Sequence, residues 1–300
     1  MQLNPQPLTV TSHSQTKILI LLFVVILLGL SLRSATADVI IHPKSNDPKE
    51  TLVLEILKLA IQHSDKADQF RYQEFENSLT EARMVEMVKE HKLSIMWAGT
   101  QIKYEQELMP IRFPVLKGML GHRIFIIRQD DQPRFNGVNS LAQLQQIPLG
   151  QGRFWGDTVV LKHANLPVVT PVKYASLFYM LEGGRFDYFP RAIHEPWSEV
   201  ASRKELALTV EKRILIVYPF AMYFFVAREN SELAATIAQG FRRAIDNEKY
   251  DELFFAHPMI KDALSRANLK DRIVFHLDNP NMSPETPVDD ASLWLNIDDL

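Results

Sequence analysis

The sequence predicts an α/β protein with two lobes, and two observations carry this prediction. From residue 38 onward, short β-branched or aromatic segments alternate with amphipathic segments of helix length. The alternation runs strand-helix-strand-helix-strand up to residue 100, is interrupted by extended segments, and starts again near residue 147. Such alternation is typical of a largely parallel sheet covered by helices. A chain of 300 residues is long enough for two modest units of this kind.

The first unit is predicted from three strand segments and two capped helices. Asp47 has the position of a helix N-cap, with Pro48 at the first helical position and Glu50 completing a capping box. Ser78 and Glu81 have the same spacing and predict the start of a second helix. The strand segments are VIIHP, FRYQEFE and LSIMWAGT, at 39–43, 70–76 and 93–100.

The second unit is predicted from a further series of strands and helices. Ser140 caps a short helix, and the apolar run at 213–228 is long enough for two strands. Ser231 then caps a long amphipathic helix. The helical segments between the strands are GDTVVLKHAN and SLFYMLEGG, the second of which is stopped by glycine. The remaining strand segments are GHRIFIIRQDD, IPLGQG, PVVTPV and FDYFP.

The N-terminal residues have the order of a secretory signal peptide. Lys17 precedes an apolar run from Ile18 to Leu32, and the small residues of SATAD follow. Cleavage after residue 37 leaves 31 basic and 36 acidic residues, a formal charge of −5. Residues 1–37 are therefore interpreted as a signal peptide that directs the protein to the periplasm. An uncleaved anchor in the inner membrane is the alternative, although a spanning helix needs roughly 20 apolar residues.

The composition argues against several classes of function. A nucleic-acid-binding protein would show a basic surface, and the charge here is close to neutral. The absence of cysteine excludes a disulfide, a thiolate nucleophile and a cysteine metal site. The nine histidines form no metal-binding pattern, and no G-x-S-x-G segment is present. Glu105 and Glu107 are interpreted as a solvated helix face, because residues two apart on a helix do not face each other. The sequence predicts no enzyme activity, no cofactor and no metal.

Charged and aromatic residues cluster at the predicted strand ends, where ligands bind in open parallel sheets. In the stretch EGGRFDYFPRAIHEPW, Arg191 follows an aromatic strand. Arg191 therefore either lines a cleft or forms a surface salt bridge with Glu195 or Glu199. His194 is interpreted as a surface or cleft residue rather than a metal ligand. Four aromatic residues near strand ends favour a pocket as a set, namely Trp97, Phe154, Trp155 and Trp197.

The turn GQGRFWGD, with glycines at 150, 152 and 156, lies between a predicted strand and a predicted helix. Its spacing does not fit a dinucleotide fingerprint. Backbone amides in such a turn can bind an anion. Asp157, as an N-cap, would occupy some of the same amides.

Four segments of the chain resemble the periplasmic solute-binding proteins of the type II fold, family 3, which typically bind polar amino acids for transporters. The resemblance covers roughly residues 38–258. It implies an α/β, two-lobed type II periplasmic binding fold with a discontinuous first lobe, in which the chain crosses between lobes through hinge strands near 125–130 and 220–228. The segments are LSIMWAGTQIKYEQELMPIRFPVL, SLAQLQQIPLGQGRFWGD, LEGGRFDYF and AMYFFVARENSELAATIAQGFRRAIDNEKYDELF.

The resemblance also implies a division of the chain. The first lobe is expected at 38–127 and 222–276, and the second lobe at 128–221. Residues 277–300 are expected to form an acidic C-terminal tail, whose segment LWLNI packs back onto the body.

The sequence departs from the family pattern at the ligand-binding positions. Amino-acid binders of the family carry an arginine three residues after a threonine, and here Thr100 is followed by Lys103, which keeps the charge but loses the bidentate fork. Arg191 stands near the place of a family acid that binds the ligand's amino group. Together with Arg153, these cations favour a small polar solute that is anionic or polyhydroxylated. The predicted ligand-binding residues are Trp97, Thr100, Lys103, Arg153, Phe154, Trp155, Arg191 and Glu195.

The implied function is capture of this small-molecule ligand between two lobes that close by a hinge motion. The expected partner is the membrane permease of an ABC transporter or a sensor receptor, and the protein is expected to be a monomer that binds no nucleic acid. The alternative is an orphan sensory or interaction module on the same fold, with no transport role.

Overall fold

The structure is a computed structural model that describes residues 1–2 and 37–299. Its contacts divide the chain into two units, Met1–Asp38 and Val39–Leu300. The elements below belong to the second unit, apart from Asp38, at which the first strand begins. The predicted signal peptide lies almost wholly outside the described residues and stays a prediction. Within the described part of the chain, every helix is too short or too polar to cross a membrane.

Two small sheets contain the strands of the first third of the chain together with one returning strand. Strand β1 (Asp38–His42) pairs with β2 (Phe70–Glu74). In the second sheet, β11 (Met222–Val226) lies between β3 (Met96–Gly99) and β4 (Met109–Ile111) and is antiparallel to both. We call these two sheets and the helices packed on them the first lobe.

The other strands form the second lobe. Its larger sheet is organised around β5 (His122–Arg128), which is antiparallel to three strands. These are β8 (Phe189–Ala192), β9 (Leu208–Val210) and β10 (Ile214–Val217), and β10 is parallel to β12 (Ile273–His276). A parallel pair, β6 (Leu149–Gly150) and β7 (Val168–Val169), completes the set.

The prediction of a largely parallel sheet is wrong. Most strand pairs of assigned direction are antiparallel, because β5 and β11 each run against the neighbours on both sides. The predicted lobe boundaries stay predictions. Strand β12, which falls in the segment 222–276 expected for the first lobe, pairs with β10 of the second lobe.

The described part of the chain contains eleven α-helices. They are α1 (Pro48–Gln62), α2 (Glu81–Lys89), α3 (Ile102–Glu107), α4 (Gln132–Asn136), α5 (Leu141–Leu144), α6 (Asp157–His163), α7 (Tyr174–Glu182), α8 (Pro196–Ala201), α9 (Ser231–Asp246), α10 (Lys249–Ala256) and α11 (Pro258–Ala267).

The helix caps confirm the predictions at Asp47 and Ser140 and correct those at Ser78 and Ser231. Asp47 caps α1, as the sequence predicted. Helix α2 begins at Glu81, two residues later than a cap at Ser78 would place it, because Thr80 is the residue whose side chain accepts from the first turn. Helix α9 is capped by Asn230, so that Ser231 becomes its first helical residue. Cap-forming side chains one or two residues apart cannot be told apart by sequence spacing alone.

The C-terminal segment packs back onto the body, as predicted. Leu293 and Leu295 are buried. Trp294 covers Gly118, which has a left-handed backbone (φ 70°) and has room for no side chain, since a Cβ there would lie 2.4 Å from the indole ring. The amide of Asn279 donates to the carbonyl of Pro219, just before β11. The tail therefore contacts the chain where it returns to the first lobe.

Candidate functional site

A cavity of about 960 Å³ is lined by residues of both lobes. Ligand pockets commonly have volumes of about 300–1,000 Å³. The first lobe contributes residues from the N-terminal ends of α1 and α2, and the second lobe contributes residues from β5, β8 and α8. Apolar residues near the points where the chain passes between the lobes complete the walls. The residues used below are Lys49, Glu81, Arg123, Arg191, His194 and Glu195.

Arg191 lies on β8 and is the best-bound cation of the cleft. Its guanidinium donates to both carboxylate oxygens of Glu199 at 2.6–3.0 Å and approaches the Glu195 carboxylate at 2.9 Å. The residue is 6% exposed. Burial alone would lower the pKa of Arg191, but Glu195 and Glu199 raise it above its ordinary value. Arg191 therefore lines the cleft and also forms ion pairs with both glutamates, but these pairs are buried and not at the surface.

Aromatic rings surround the same guanidinium. Its central carbon lies 4.9 Å from the ring centre of Phe189, 5.0 Å from that of Trp155 and 5.7 Å from that of Tyr174. These distances fall within the range of cation–π attraction. We call these three aromatic residues, together with Glu195 and Glu199, the Arg191 cage.

Arg123 is the second buried cation of this wall. It lies on β5, approaches the Asp157 carboxylate at 2.7 Å and donates to the hydroxyl of Tyr218 at 2.9 Å. That hydroxyl donates in turn to Asp157 at 3.0 Å, which closes a ring of three polar groups. A weaker approach of 3.6 Å joins Arg123 to Glu195. Both arginines are thus matched by carboxylates within the second lobe.

Asp157 does not cap α6, contrary to the prediction. The N-cap is Gly156, and the Asp157 carboxylate lies against Arg123 with 1% of the residue exposed. Three amides around the preceding turn, where the sequence suggested a possible anion site, have partners within the chain. The backbone amides of Arg153, Trp155 and Thr158 donate to carbonyls of the chain, so they are already used.

His194 is the polar group of the cleft that lacks a partner. Both of its ring nitrogens are buried and without hydrogen bonds among the described residues. Burial lowers the pKa of His194 to about 4, and the charges of Lys49, Arg191 and Arg123 act in the same direction, against the opposing charge of Glu195. A neutral imidazole has one donor and one acceptor to offer, and here both are free.

The first-lobe wall is formed by the starts of two helices. The ammonium of Lys49 pairs with Glu50 at 2.8 Å, and Glu50 also accepts from the indole of Trp97. Burial raises the pKa of Glu81, whose carboxylate accepts a hydrogen bond from Tyr104. This wall therefore presents one paired cation and one carboxyl group whose charge is disfavoured by its surroundings.

The structure places three of the eight predicted ligand-binding residues on the cleft, namely Trp155, Arg191 and Glu195. Lys103 lies on the outer face of α3 with three-quarters of its side chain exposed, next to Glu107. Arg153 is exposed and donates to the carbonyl of Thr170. The predicted convergence of Lys103, Arg153 and Arg191 is therefore not present.

The other three predicted residues also lie away from the cavity walls. Trp97 is 3% exposed within the core of the first lobe, and Phe154 is 72% exposed. Thr100 is buried and donates to Glu105 at 2.6 Å. Glu105 is itself 8% exposed and pairs with Arg112 at 2.6 Å, so its interpretation as a solvated carboxylate is wrong.

Sequence reasoning missed Lys49, Glu81 and Arg123 as cleft residues. Arg123 gives a local signal in the sequence, because a charged residue within the apolar strand HRIFIIR is unusual. In the structure it is buried, with 4% of the residue exposed. Lys49 and Glu81 give none, since charged residues in a first helical turn are ordinary. Within residues 37–299, no group of three or more histidine, aspartate and glutamate side chains could hold a metal ion.

Comparison with known proteins identifies the fold. No family model matches the chain, and no curated protein matches it. A solved binding component of an ABC transporter from Wolinella succinogenes, complexed with lysine, is similar with a TM-score of 0.53 and 12% identity, over 73% of this chain and 94% of that one. An ancestral arginine-binding protein bound to glutamine gives 0.52 and 11%, over 74% and 98% of the two chains.

A third similar structure is a histidine kinase sensor domain that resembles periplasmic binding proteins, with a TM-score of 0.52 and 12% identity over 75% of this chain and 99% of that one. At such identities the similarity concerns architecture alone. Together with two groups of sheets that enclose one cleft, it shows that the chain has the α/β, two-lobed type II periplasmic binding protein fold.

Proposed function

We propose that this protein binds a small polar solute in the cleft between its lobes and presents it to the permease of an ABC transporter. The observation that carries the proposal is a cavity of about 960 Å³ whose walls come from both lobes and include a buried imidazole without a partner. Ligand sites combine apolar surface with a few placed polar groups. The structural neighbours include binding proteins of amino-acid ABC transporters.

The charges of the cleft bear on the class of solute. Arg123 and Arg191 are already matched by carboxylates, so they offer little to a further anion. The two ring nitrogens of His194 are buried here, and a turn of the ring toward the cavity would let one donate to a solute and the other accept from it. A polar solute with hydroxyl, amide or zwitterionic groups is therefore the class that we propose. The anionic solute expected from the basic residues is the alternative class.

Solute binding would draw the first-lobe residues Lys49 and Glu81 toward His194 and Glu195 of the second lobe. Such closure is the usual hinge motion of two-lobed receptors. The segment between β10 and β11 and the segment before β5 connect the lobes and would absorb the change. The protein would act in the periplasm and would carry out no chemistry on the solute.

Ligand screening of the full chain tests this proposal. Zwitterionic, neutral polar and anionic solutes are compared by thermal shift, and each hit is followed by isothermal titration and small-angle scattering. We expect at least one solute to raise Tm and to reduce the radius of gyration. Native mass spectrometry of the freshly purified protein would reveal a solute carried through purification.

A matched pair of variants locates the site. His194→Phe removes the unpartnered imidazole from the cleft, whereas His163→Phe changes an exposed histidine at the end of α6. We expect the first variant to weaken solute binding and the second to leave it unchanged. Loss of binding in both variants, or the absence of any compacting solute, would contradict the proposal.

The second candidate is a sensory or interaction module without a transport role. It is favoured by the similarity to a histidine kinase sensor domain. A sensor would bind solute without affecting uptake. Deletion of the gene followed by uptake measurements with the identified solute separates the two, because unchanged uptake favours the sensor.

A further inference from the structure

The Arg191 cage holds the guanidinium group of its own chain as a receptor would hold a free cation. Three aromatic rings lie within 6 Å of the guanidinium carbon, and two glutamates neutralise the charge. Glu199 binds Nε and one terminal nitrogen together, which is a bidentate contact. Aromatic faces combined with a bidentate carboxylate are the chemistry that recognises guanidinium ligands.

The cage opens on the cleft. Trp155, Tyr174, Glu195 and Glu199 all line the cavity, as does Arg191 itself. A solute that enters the cleft therefore meets these groups with a cation already in place.

The occupant is held there by the fold. Arg191 lies opposite Ile124 in the pairing of β8 with β5, which fixes its backbone at the edge of the cavity. The guanidinium of Arg203 lies 3.6 Å from the ring centre of Phe178 and donates to the Glu199 carbonyl, so it covers the outer side of the cage.

We propose that Arg191 is a built-in occupant of a guanidinium subsite and thereby a specificity-determining residue of the cleft. A solute with a guanidinium or ammonium group would have to displace a cation tethered to the same wall, which competes at a high effective concentration. The cage therefore excludes such groups from this end of the cleft. The inference rests on the proposed function, because it names the cationic groups that one end of the same cleft rejects.

Removal of the occupant tests the inference. Arg191→Ala should leave an empty cage that binds methylguanidinium, added as the chloride salt at millimolar concentration and compared with equal concentrations of sodium chloride. We expect methylguanidinium to raise Tm of Arg191→Ala by roughly 3 °C at ten times its Kd, and to leave the wild-type Tm unchanged. Isothermal titration should show one site in the variant alone.

The double variant Arg191→Ala/Glu199→Gln is the matched control, because it removes the bidentate carboxylate together with the cation. It should show no methylguanidinium site. If Arg191→Ala does not fold during expression, the same comparison is made on refolding yield, which methylguanidinium should raise for the single variant alone. An equal response of the single and double variants, or no response of the single variant, overturns the inference. If the wild-type protein binds no solute, the proposed function is contradicted, but the result with Arg191→Ala is unaffected.

Discussion

The charged groups on the two walls of the cleft differ in their burial and in their ion-pair partners. The second-lobe wall buries Arg123 and Arg191 and gives each of them carboxylate partners at 2.6–2.9 Å. On the first-lobe wall, the Lys49 side chain is 27% exposed and Glu81 carries a raised pKa. The cations of the second-lobe wall thus already have carboxylate partners within the protein. The groups of the first-lobe wall can still exchange contacts with water for contacts with a solute. The difference indicates which wall sets stability and which wall adapts on closure.

The largest effect is expected from breaking the second-lobe network at Asp157. Asp157→Asn leaves Arg123 buried beside a neutral group, and loss of one partner of a buried pair costs about 3–5 kcal/mol. Urea unfolding at pH 7 measures the change. Lys103→Met is the control, because the exposed pair of Lys103 with Glu107 contributes about 0–1 kcal/mol. Equal losses of unfolding free energy in the two variants would show that the buried network contributes no more to stability than the exposed pair.

The second effect concerns acid stability and His194. The folded imidazole stays neutral down to a pKa of about 4, whereas in the unfolded chain it takes up a proton near pH 6.5. Acidification through this window therefore favours the unfolded state. The groups that face His194 are Lys49, Arg123, Arg191 and Glu195. Burial likewise lowers the pKa of His122 to about 4, so the wild-type protein should lose stability through both histidines.

His194→Gln should remove one of the two proton-uptake sites. Between pH 6.5 and 4, the free energy of unfolding should then fall less steeply with acidification than in the wild type. The difference between the two slopes should reach up to about 1.4 kcal/mol per pH unit. Urea unfolding at pH 7, 6 and 5 checks this slope. The cationic neighbours of Glu195 lower its pKa to about 2, against the effect of burial. The stability that this carboxylate contributes is therefore lost only at lower pH, as the pH falls from about 4.5 toward 2. An unchanged slope in His194→Gln would mean that this imidazole is hydrated in solution.

The fold was largely predictable from the sequence, because its signals are local. Apolar periodicity located α1 and α9, and β-branched or aromatic runs located β5, β10 and β11. Strand direction was not predictable, since it depends on which strands, distant along the chain, become neighbours in one sheet. The strand β11, inserted between β3 and β4, is the clearest example.

The site was predictable only where sequence neighbours stay neighbours in space. Arg191, Glu195 and Glu199 are joined by a strand and one helical turn, and their ion pairs were anticipated. The partners of Arg123 lie far along the chain, at Asp157 and Tyr218. Such pairings depend on which distant segments of the chain meet in the folded protein, and they could not be predicted from residue spacing.

The smallest effect is expected on the first-lobe wall, at Glu81. Its raised pKa means that the folded protein disfavours the ionised carboxylate, so this charge destabilises the native state at neutral pH. Glu81→Gln removes the charge and keeps an oxygen that can accept from the Tyr104 hydroxyl. We expect the free energy of unfolding at pH 7 to rise slightly or stay within about 0.5 kcal/mol of the wild type, opposite in sign to Asp157→Asn. A loss of more than about 2 kcal/mol would place Glu81 in a network as tight as that of Arg123, and the two walls would no longer differ.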